Sequence, residues 1–428
     1  MFKVPLIFKN QQFLRLWINQ VFLQVGFNLC TFTVFLIIAH RTHSPFVQAQ
    51  FFTALTLPAF VFGLIAGPIV DIVNRKKLML ITDFLLGILF LIYIFADGRF
   101  IILIIIAFLA SSVARFFIPA QAATIPLIVG KETLRFANAL FLFTLMGSAI
   151  LGNTIAGPII EIFGGLGTRG EIAPFLLSSL FVLIGFVLLL GFKEVKVLKL
   201  EVPNGTIFRK IFHLFWQTVK EVSGNQKISL PIFLLIFVEL NIGILSVVFL
   251  EYVRRFLHLP LTAVSGVLMI PLVLGLIFGV AILKKIHKKY GYKQSIYRAV
   301  LGIGLLFLIL GLLPVLGKGG LGIVLIRLIS VVVAFITGIL VVVITVQSRT
   351  VLQTSSSLQM QGRIFSFLDI MIAIVTPIPV LFIGRIADRI SLPGTFFFIG
   401  LGIMAVAFLG SRVFFGKAIK GGTMSTPI

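Results

Sequence analysis

Gly63-Leu64-Ile65-Ala66-Gly67, followed by Arg75-Lys76-Lys77, returns 212 residues later as Gly275-Leu276-Ile277-Phe278-Gly279, followed by His287-Lys288-Lys289. Each copy stands where a long apolar run gives way to a short basic loop. Two copies half a chain apart predict two similar halves. The runs between the loops identify the solvent. Of the 428 residues, 59% are hydrophobic, and mean hydropathy is +1.17. A soluble domain cannot keep that much apolar surface dry. Runs of about 20 apolar residues cross a hydrocarbon layer ~30 Å thick. A backbone inside that layer must bond to itself, so repeated helices are expected.

Twelve spans are expected, at 13–39, 46–70, 78–96, 100–121, 136–163 and 173–191, then at 229–251, 261–283, 295–316, 321–347, 365–386 and 393–415. The longest hydrophilic stretch, 192–228, separates them six from six. The expected architecture is an all-α integral membrane fold of two pseudo-symmetric six-helix bundles, 1–191 and 229–428, joined by a cytoplasmic loop at 192–228. That loop is too short for a domain, and its 207–222 portion reads as an amphipathic helix on the membrane surface. An even span count puts both termini on one face. That face carries 27 of the 36 lysines and arginines and the other face nine, which places both termini in the cytoplasm. The net charge of +23 therefore reads as topology rather than nucleic-acid binding. The one cysteine, Cys30, excludes an intrachain disulfide and a thiolate metal site. The first run is too long for a signal-peptide core and reads as a retained helix. No cofactor or metal is expected.

Gly67-Pro68-Ile69-Val70-Asp71-Ile72-Val73-Asn74-Arg75-Lys76 has the form Gly-x-x-x-Asp-x-x-x-Arg-Lys. It resembles the signature loop between the second and third helices of the major facilitator superfamily. Span count, central loop and half-chain repeat extend the resemblance over the whole chain. Gly67 lets a helix end lie against a neighbour, and Asp71 is an anion able to face a helix N-terminus. Arg75 and Lys76 can pair with carboxylates or carbonyls at adjacent helix ends, or with anionic lipid. The resemblance implies a cytoplasmic latch between the halves, built on Gly67, Asp71, Arg75 and Lys76, with Asp369 as a partner. Leu283 and His287 replace Asp71 and Arg75 in the second copy, so the latch is asymmetric. Gly384-Arg385-Ile386-Ala387-Asp388-Arg389 looks like the same motif on the opposite face. Its counterpart there is Gly157-Pro158-Ile159-Ile160-Glu161.

Arg115-Phe116-Phe117-Ile118-Pro119-Ala120-Gln121, Leu134-Arg135-Phe136-Ala137-Asn138-Ala139-Leu140 and Gln361-Gly362-Arg363-Ile364-Phe365-Ser366 resemble the macrolide-efflux and enterobactin-export branch. Gly147-x4-Gly152-x4-Gly157-Pro158 is similar to the glycine–proline motif of exporters. The resemblance implies a monomer in the plasma (inner) membrane that exports amphiphilic small molecules by alternating access.

Glu239 lies twelve residues after Lys227 and twelve before Glu251, near mid-bilayer at ~1.5 Å per residue. A charged carboxylate there costs several kcal/mol or takes up a proton. Glu239 is thus expected to bind and release a coupling proton, or else to partner a neighbouring helix. Gln20, Gln24 and Asn28 recur every four residues on one helix face, beside Asn19. The resemblance puts that helix on the central cavity; the alternative is hydrogen bonding between helices. Arg115 is expected to hold a substrate anion or pair with Asp369. Asp83 and Asp369, near cytoplasmic ends, are expected to be caps or latch partners. Some of the 46 phenylalanines would line a cavity for apolar cargo.

Neither half contains a Gly-x-x-x-x-Gly-Lys-Ser/Thr loop, so energy must come from an ion gradient or from the cargo's own gradient. The expected partners are the cargo, protons and membrane lipids. A second reading moves a lysophospholipid between leaflets on the same fold. An intramembrane enzyme needs clustered His, Asp, Glu or Ser. Here the five histidines lie in or beside loops and the 13 acidic residues are dispersed, so no enzyme is expected. Impermeant reagents should label tags at both ends only from the cytoplasmic side; labelling of the two tags from opposite faces would overturn the topology.

Overall fold

The structure is a computed structural model describing residues 6–96, 99–130, 133–193, 207–318, 322–356 and 358–410; these residues form helices and connecting turns only. α1 (Gln11–Thr42) starts at Asn10, whose side chain accepts from the backbone N–H groups of Gln12 and Phe13. α2 (Pro45–Ile72) and α3 (Arg75–Ile92) are capped in the same way by Ser44 and Asn74. α4 (Phe100–Ile128), α5 (Leu134–Ile162) and α6 (Ile172–Leu190) complete the first six passes. The expected amphipathic segment is helical as α7 (Ile207–Gly224) and packs against α8 (Gln226–Tyr252) and α11 (Leu358–Val375). α9 (Ile270–Lys318), α10 (Ile323–Thr354), α12 (Pro377–Arg389) and α13 (Leu392–Gly410) make up the rest.

Two elements depart from one helix per pass. The 51 residues from Ser265 to Val315 would run ~76 Å if straight, over twice the hydrocarbon thickness. They turn back at Gly291, where φ is 69° and ψ is 176°, so α9 supplies both the eighth and the ninth pass. The eleventh pass is the converse. Pro377 and Pro379 carry no amide hydrogen, and the helix breaks at Thr376 into α11 and α12. Six passes thus precede α7 and six follow it, twelve in all, among the described residues.

The fourth pass runs to Ile128, beyond the expected end at 121. Gln121 and Thr124 are buried there, and the Thr124 hydroxyl donates to the Ala120 carbonyl, so their polarity does not end the helix. Arg115 therefore stands at the centre of α4.

α1 packs on α5 and α6, and α3 on α4 and α6, while α9 packs on α10 and α13. Exposed apolar side chains such as Phe143, Leu151, Val280 and Phe398 cover the outside, as a surface against acyl chains requires. Lipid tails compete equally for apolar side chains, so close backbone approach has to supply helix contact. A Cβ on Gly275 would stand 1.9 Å from the Phe335 carbonyl oxygen, and one on Gly338 2.1 Å from that of Leu272. The second glycine copy is thus a backbone-to-backbone crossing of the eighth and tenth passes. In the first copy, a Cβ on Gly63 would meet only the Ile370 side chain, at 3.8 Å. Gly275→Leu or Gly338→Leu should each cost ~1–3 kcal/mol by overpacking, lowering the Tm of the purified protein, and Gly63→Ala should leave it nearly unchanged. Equal Tm values for all three would contradict this packing.

Candidate functional site

Four charged side chains from both halves are linked electrostatically. Arg115 is central in α4 and Glu239 central in α8; Asp369 comes from α11 and Arg349 from α10, five residues before its end. Arg115 and Asp369 act on each other electrostatically; Arg349 acts on both Glu239 and Asp369, and the two carboxylates act on each other. Asp369 is exposed and the other three are half-buried. Ion pairs within 4.0 Å among the described residues join Arg41 to Glu171 and both Arg254 and Arg255 to Glu251. None of the four belongs to one of these pairs. These two cations and two anions thus act on one another without an ion pair within 4.0 Å among the described residues.

Asp369, expected as a cap, a latch partner or a partner of Arg115, is in electrostatic reach of Arg115 and Arg349. Arg349 was not anticipated. Hydropathy ended the tenth span at 347, whereas α10 continues through Arg349 to Thr354. The signal available was an arginine directly after Val346-Gln347-Ser348, still in helical register with the span.

The polar stripe of α1 divides. Gln20 is buried and donates to the Phe141 carbonyl of α5 at 3.2 Å, so it joins two helices. Gln24 and Asn28 are half-buried, and the Asn28 amide donates to the Gln24 carbonyl one turn back at 2.7 Å. Asn19 is buried and donates to Asp83 at 2.6 Å. Asp83 is not an end cap, then. It lies mid-α3, fully buried between α1 and α3.

Arg75 donates to the Ala123 carbonyl near the end of α4 at 2.7 Å, and Lys76 to the carbonyl of Leu190, the last residue of α6, at 2.9 Å. Cations suit helix C-termini, where carbonyls lack partners and the dipole is negative. These two bonds pin the loop to helix ends of its own half. The side chains of Gly67 and Asp71 lie outside the described residues, as do those of Arg135, Asn138, Gln361 and Gly362 in the branch-like motifs.

On the face away from the termini the halves meet through a repeated clasp. Glu161, at the end of α5, accepts the Thr262 hydroxyl from the segment before α9. Asp388, at the end of α12, accepts the Ser44 hydroxyl at 2.6 Å and the Phe46 N–H at 3.3 Å, at the start of α2. Shifting by six passes converts one clasp into the other. Both belong to the motif-like segments ending in Glu161 and Asp388. Between them the Gly157 N–H donates to the Ser265 hydroxyl at 3.1 Å, and a Cβ on Gly157 would stand 2.0 Å from the Thr262 carbonyl oxygen. His43 contacts the Arg254 guanidinium, which with Arg255 grips the buried Glu251. A separate cavity of about 350 Å³ lies at this face inside the first six helices, lined by Ile37, Arg41, Tyr93, Gly167, Glu171 and Phe175. The Arg41–Glu171 ion pair, 2.8 Å long, belongs to that lining, remote from the four charges.

Comparison with known proteins gives a consistent picture. The family model described as "Major Facilitator Superfamily" matches residues 16–379. The chain is 25% identical over 366 residues to the Bacillus subtilis (strain 168) protein named "Putative bacilysin exporter BacE", covering 83% of this chain and 84% of that protein. The POT family transporter PepTSo aligns with a TM-score of 0.70 at 12% identity, over 96% of this chain and 99% of that one. A bacterial homolog of the human lysosomal transporter Spinster, inward-facing and unoccupied, aligns with a TM-score of 0.68 at 14% identity, over 95% of this chain and 98% of that one. At such identities these two structures report the fold alone.

The clasps generate a test. With Ser265→Cys as reporter in a Cys30→Ala background, Asp388→Ala should raise thiol labelling from the distal face about tenfold, because losing charge-assisted bonds worth ~1.5 kcal/mol favours opening by that factor. Unchanged labelling would show that the clasp does not hold the face shut.

Proposed function

The chain belongs to the Major Facilitator Superfamily, and on that footing we propose a secondary active exporter of amphiphilic small molecules, driven by proton antiport. Family and relatives make it a multi-pass membrane transporter and not an enzyme. One observation carries the finer reading: Glu239, at the centre of α8, feels the charges of Arg349 and Asp369 but has no ion pair within 4.0 Å to neutralise it. A half-buried ionisable group at that depth without an ion-pair partner suits a site that is occupied and vacated in turn. The name of the Bacillus relative supports outward transport.

In this reading the rocking bodies are 1–191 and 229–428, joined by 192–228. The Glu161–Thr262 and Asp388–Ser44 clasps close the outer face while the four charges open toward the cytoplasm, where both termini lie. Cargo enters among Arg115, Gln24 and Asn28; Gln20 supports that wall from behind. When the clasps part, Gly67, Asp71, Arg75 and Lys76 brace the cytoplasmic side, and cargo leaves outward as Glu239 carries a proton inward. The protein works as a monomer in the plasma (inner) membrane, surrounded by lipid.

The test is an efflux screen in a pump-deficient host across dyes, macrolides, siderophores and lysolipids. Glu239→Gln should abolish uphill flux driven by an imposed proton gradient and leave downhill cargo exchange in place. Uphill flux retained in Glu239→Gln would remove Glu239 from the coupling role, and no transported compound at all would remove the exporter reading.

A further inference from the structure

We propose that His43 is a proton-binding site on the distal seam: a proton taken up from the outer solution releases the first half from Arg254 of the second. The inference rests on the exporter reading only in taking the distal face as the outer gate. His43 closes α1 in the left-handed conformation, with φ 53° and ψ 22°, and is exposed. Its Nδ1 lies between two groups of opposite demand. The Arg254 guanidinium, which can only donate, contacts it from the second half; the Ala39 carbonyl, which can only accept, lies 3.1 Å away, one turn back on α1. One ring nitrogen serves one of them at a time. Neutral imidazole with its proton on Nε2 accepts from Arg254 and so joins the halves. A proton added at Nδ1 is donated to Ala39, within the same helix, and leaves no lone pair for Arg254. One bond between the halves breaks and one inside the first half forms. The C-terminus of α1, with its unpartnered carbonyls and negative dipole end, favours the cation.

The charges around the ring sharpen this exchange. In the segment after the seventh pass, Arg254 and Arg255 share the single buried carboxylate of Glu251, which leaves one positive charge uncompensated there. An imidazolium sets a further cation beside Arg254. On α1, Arg41 is paired with Glu171, and His40 lies against Gly167, its Nε2 3.1 Å from where a Cβ would stand. From α5, Glu161 accepts from Thr262. From α12, the Arg385 guanidinium lies 5.0 Å from the centroid of the Phe46 ring, and Asp388 holds Ser44 and Phe46 through its Oδ2. Asp388 is thus the second-half anion that opposes release, and two donors already occupy that oxygen. The proton therefore removes the His43 contact of the turn between α1 and α2 and leaves the Ser44 contact in place. Imidazole changes charge between about pH 5 and 8. An acid exterior, which is the driving force for a proton antiporter, also loosens the gate through which its cargo leaves.

The test is a distance measurement on the purified full-length protein in lipid nanodiscs, with spin labels at Arg99→Cys and Gly322→Cys in a Cys30→Ala background. Both sites are exposed, at the distal starts of α4 and α10 in opposite halves, and nothing lies within 4 Å of where a Cβ on Gly322 would stand. Lowering the pH from about 8 to about 5.5, across the titration range of imidazole, should raise the odds of the longer, parted distance about tenfold, the factor that one hydrogen bond to a charged group contributes. His43→Asn should keep the short distance at both pH values. Its amide offers an acceptor to Arg254 and a donor to Ala39 together, it does not titrate, and asparagine tolerates the left-handed backbone. His43→Lys, which has no acceptor, should give the parted distance at both. Glu239→Gln should retain the response, which separates this site from the coupling acid. A distance distribution indifferent to pH, as when Asp388 keeps the imidazolium in the seam, would defeat the proposal, and so would an equal response in His43→Asn. In either case, parting of the face by Asp388→Ala would leave the exporter reading standing.

Discussion

A helix surrounded by lipid gains little by hiding an apolar side chain against another helix, because the acyl chain it leaves was as good a neighbour. Cohesion has to come from backbone fit and from polar bonds, and this chain uses the two in different places. Inside the second half, Gly275 and Gly338 bring two backbones so close that no side chain fits between them. Between the halves, Gly157 provides a similar approach, with hydroxyl–carboxylate bonds on either side. Glu161 and Asp388 are exposed, so each can exchange its hydroxyl partner for water at modest cost. Fit of the first kind makes a rigid body; the second kind makes a seam that can part.

The same economy of contact explains the centre. With the halves joined at the distal face, Arg115, Glu239, Arg349 and Asp369 act on one another without an ion pair within 4.0 Å. Four charges in a sealed interior would be prohibitive unless paired. Their partial exposure and their mutual fields make the arrangement tolerable, and the buried Nε of Arg349 is left without a hydrogen-bond partner.

Much of the architecture was legible because bilayer thickness and helix rise together dictate span length, and because loop charge follows membrane topology. Glu239 stood out for the same reason: it is central in an otherwise apolar run. What escaped reading involves partners far apart in the chain. Arg349 looked like a loop residue since a hydropathy window stops at the first cluster of Gln, Ser and Arg, whereas the helix does not. Gln20 and Asn28 share a face, but only tertiary contact shows Gln20 consumed by the Phe141 carbonyl. The segment ending in Asp388 resembled a loop motif on an unexpected face. Its role requires Ser44, 344 residues away in the chain. Asp83 looked terminal because Arg75-Lys76-Lys77 is close by in sequence, yet about two turns of helix carry it into the interior beside Asn19.

The turn at Gly291 has a mechanical corollary. A flexible connector would let the eighth and ninth passes tilt independently. Here helical backbone continues on both sides of one residue in a conformation that glycine tolerates and other residues resist. The two passes therefore behave as a stiff elbow. Any swing of the eighth pass, which meets α5 at the seam, is delivered undamped to the ninth and on to α13, so the lipid-facing flank of the second half must shift in step with the gate.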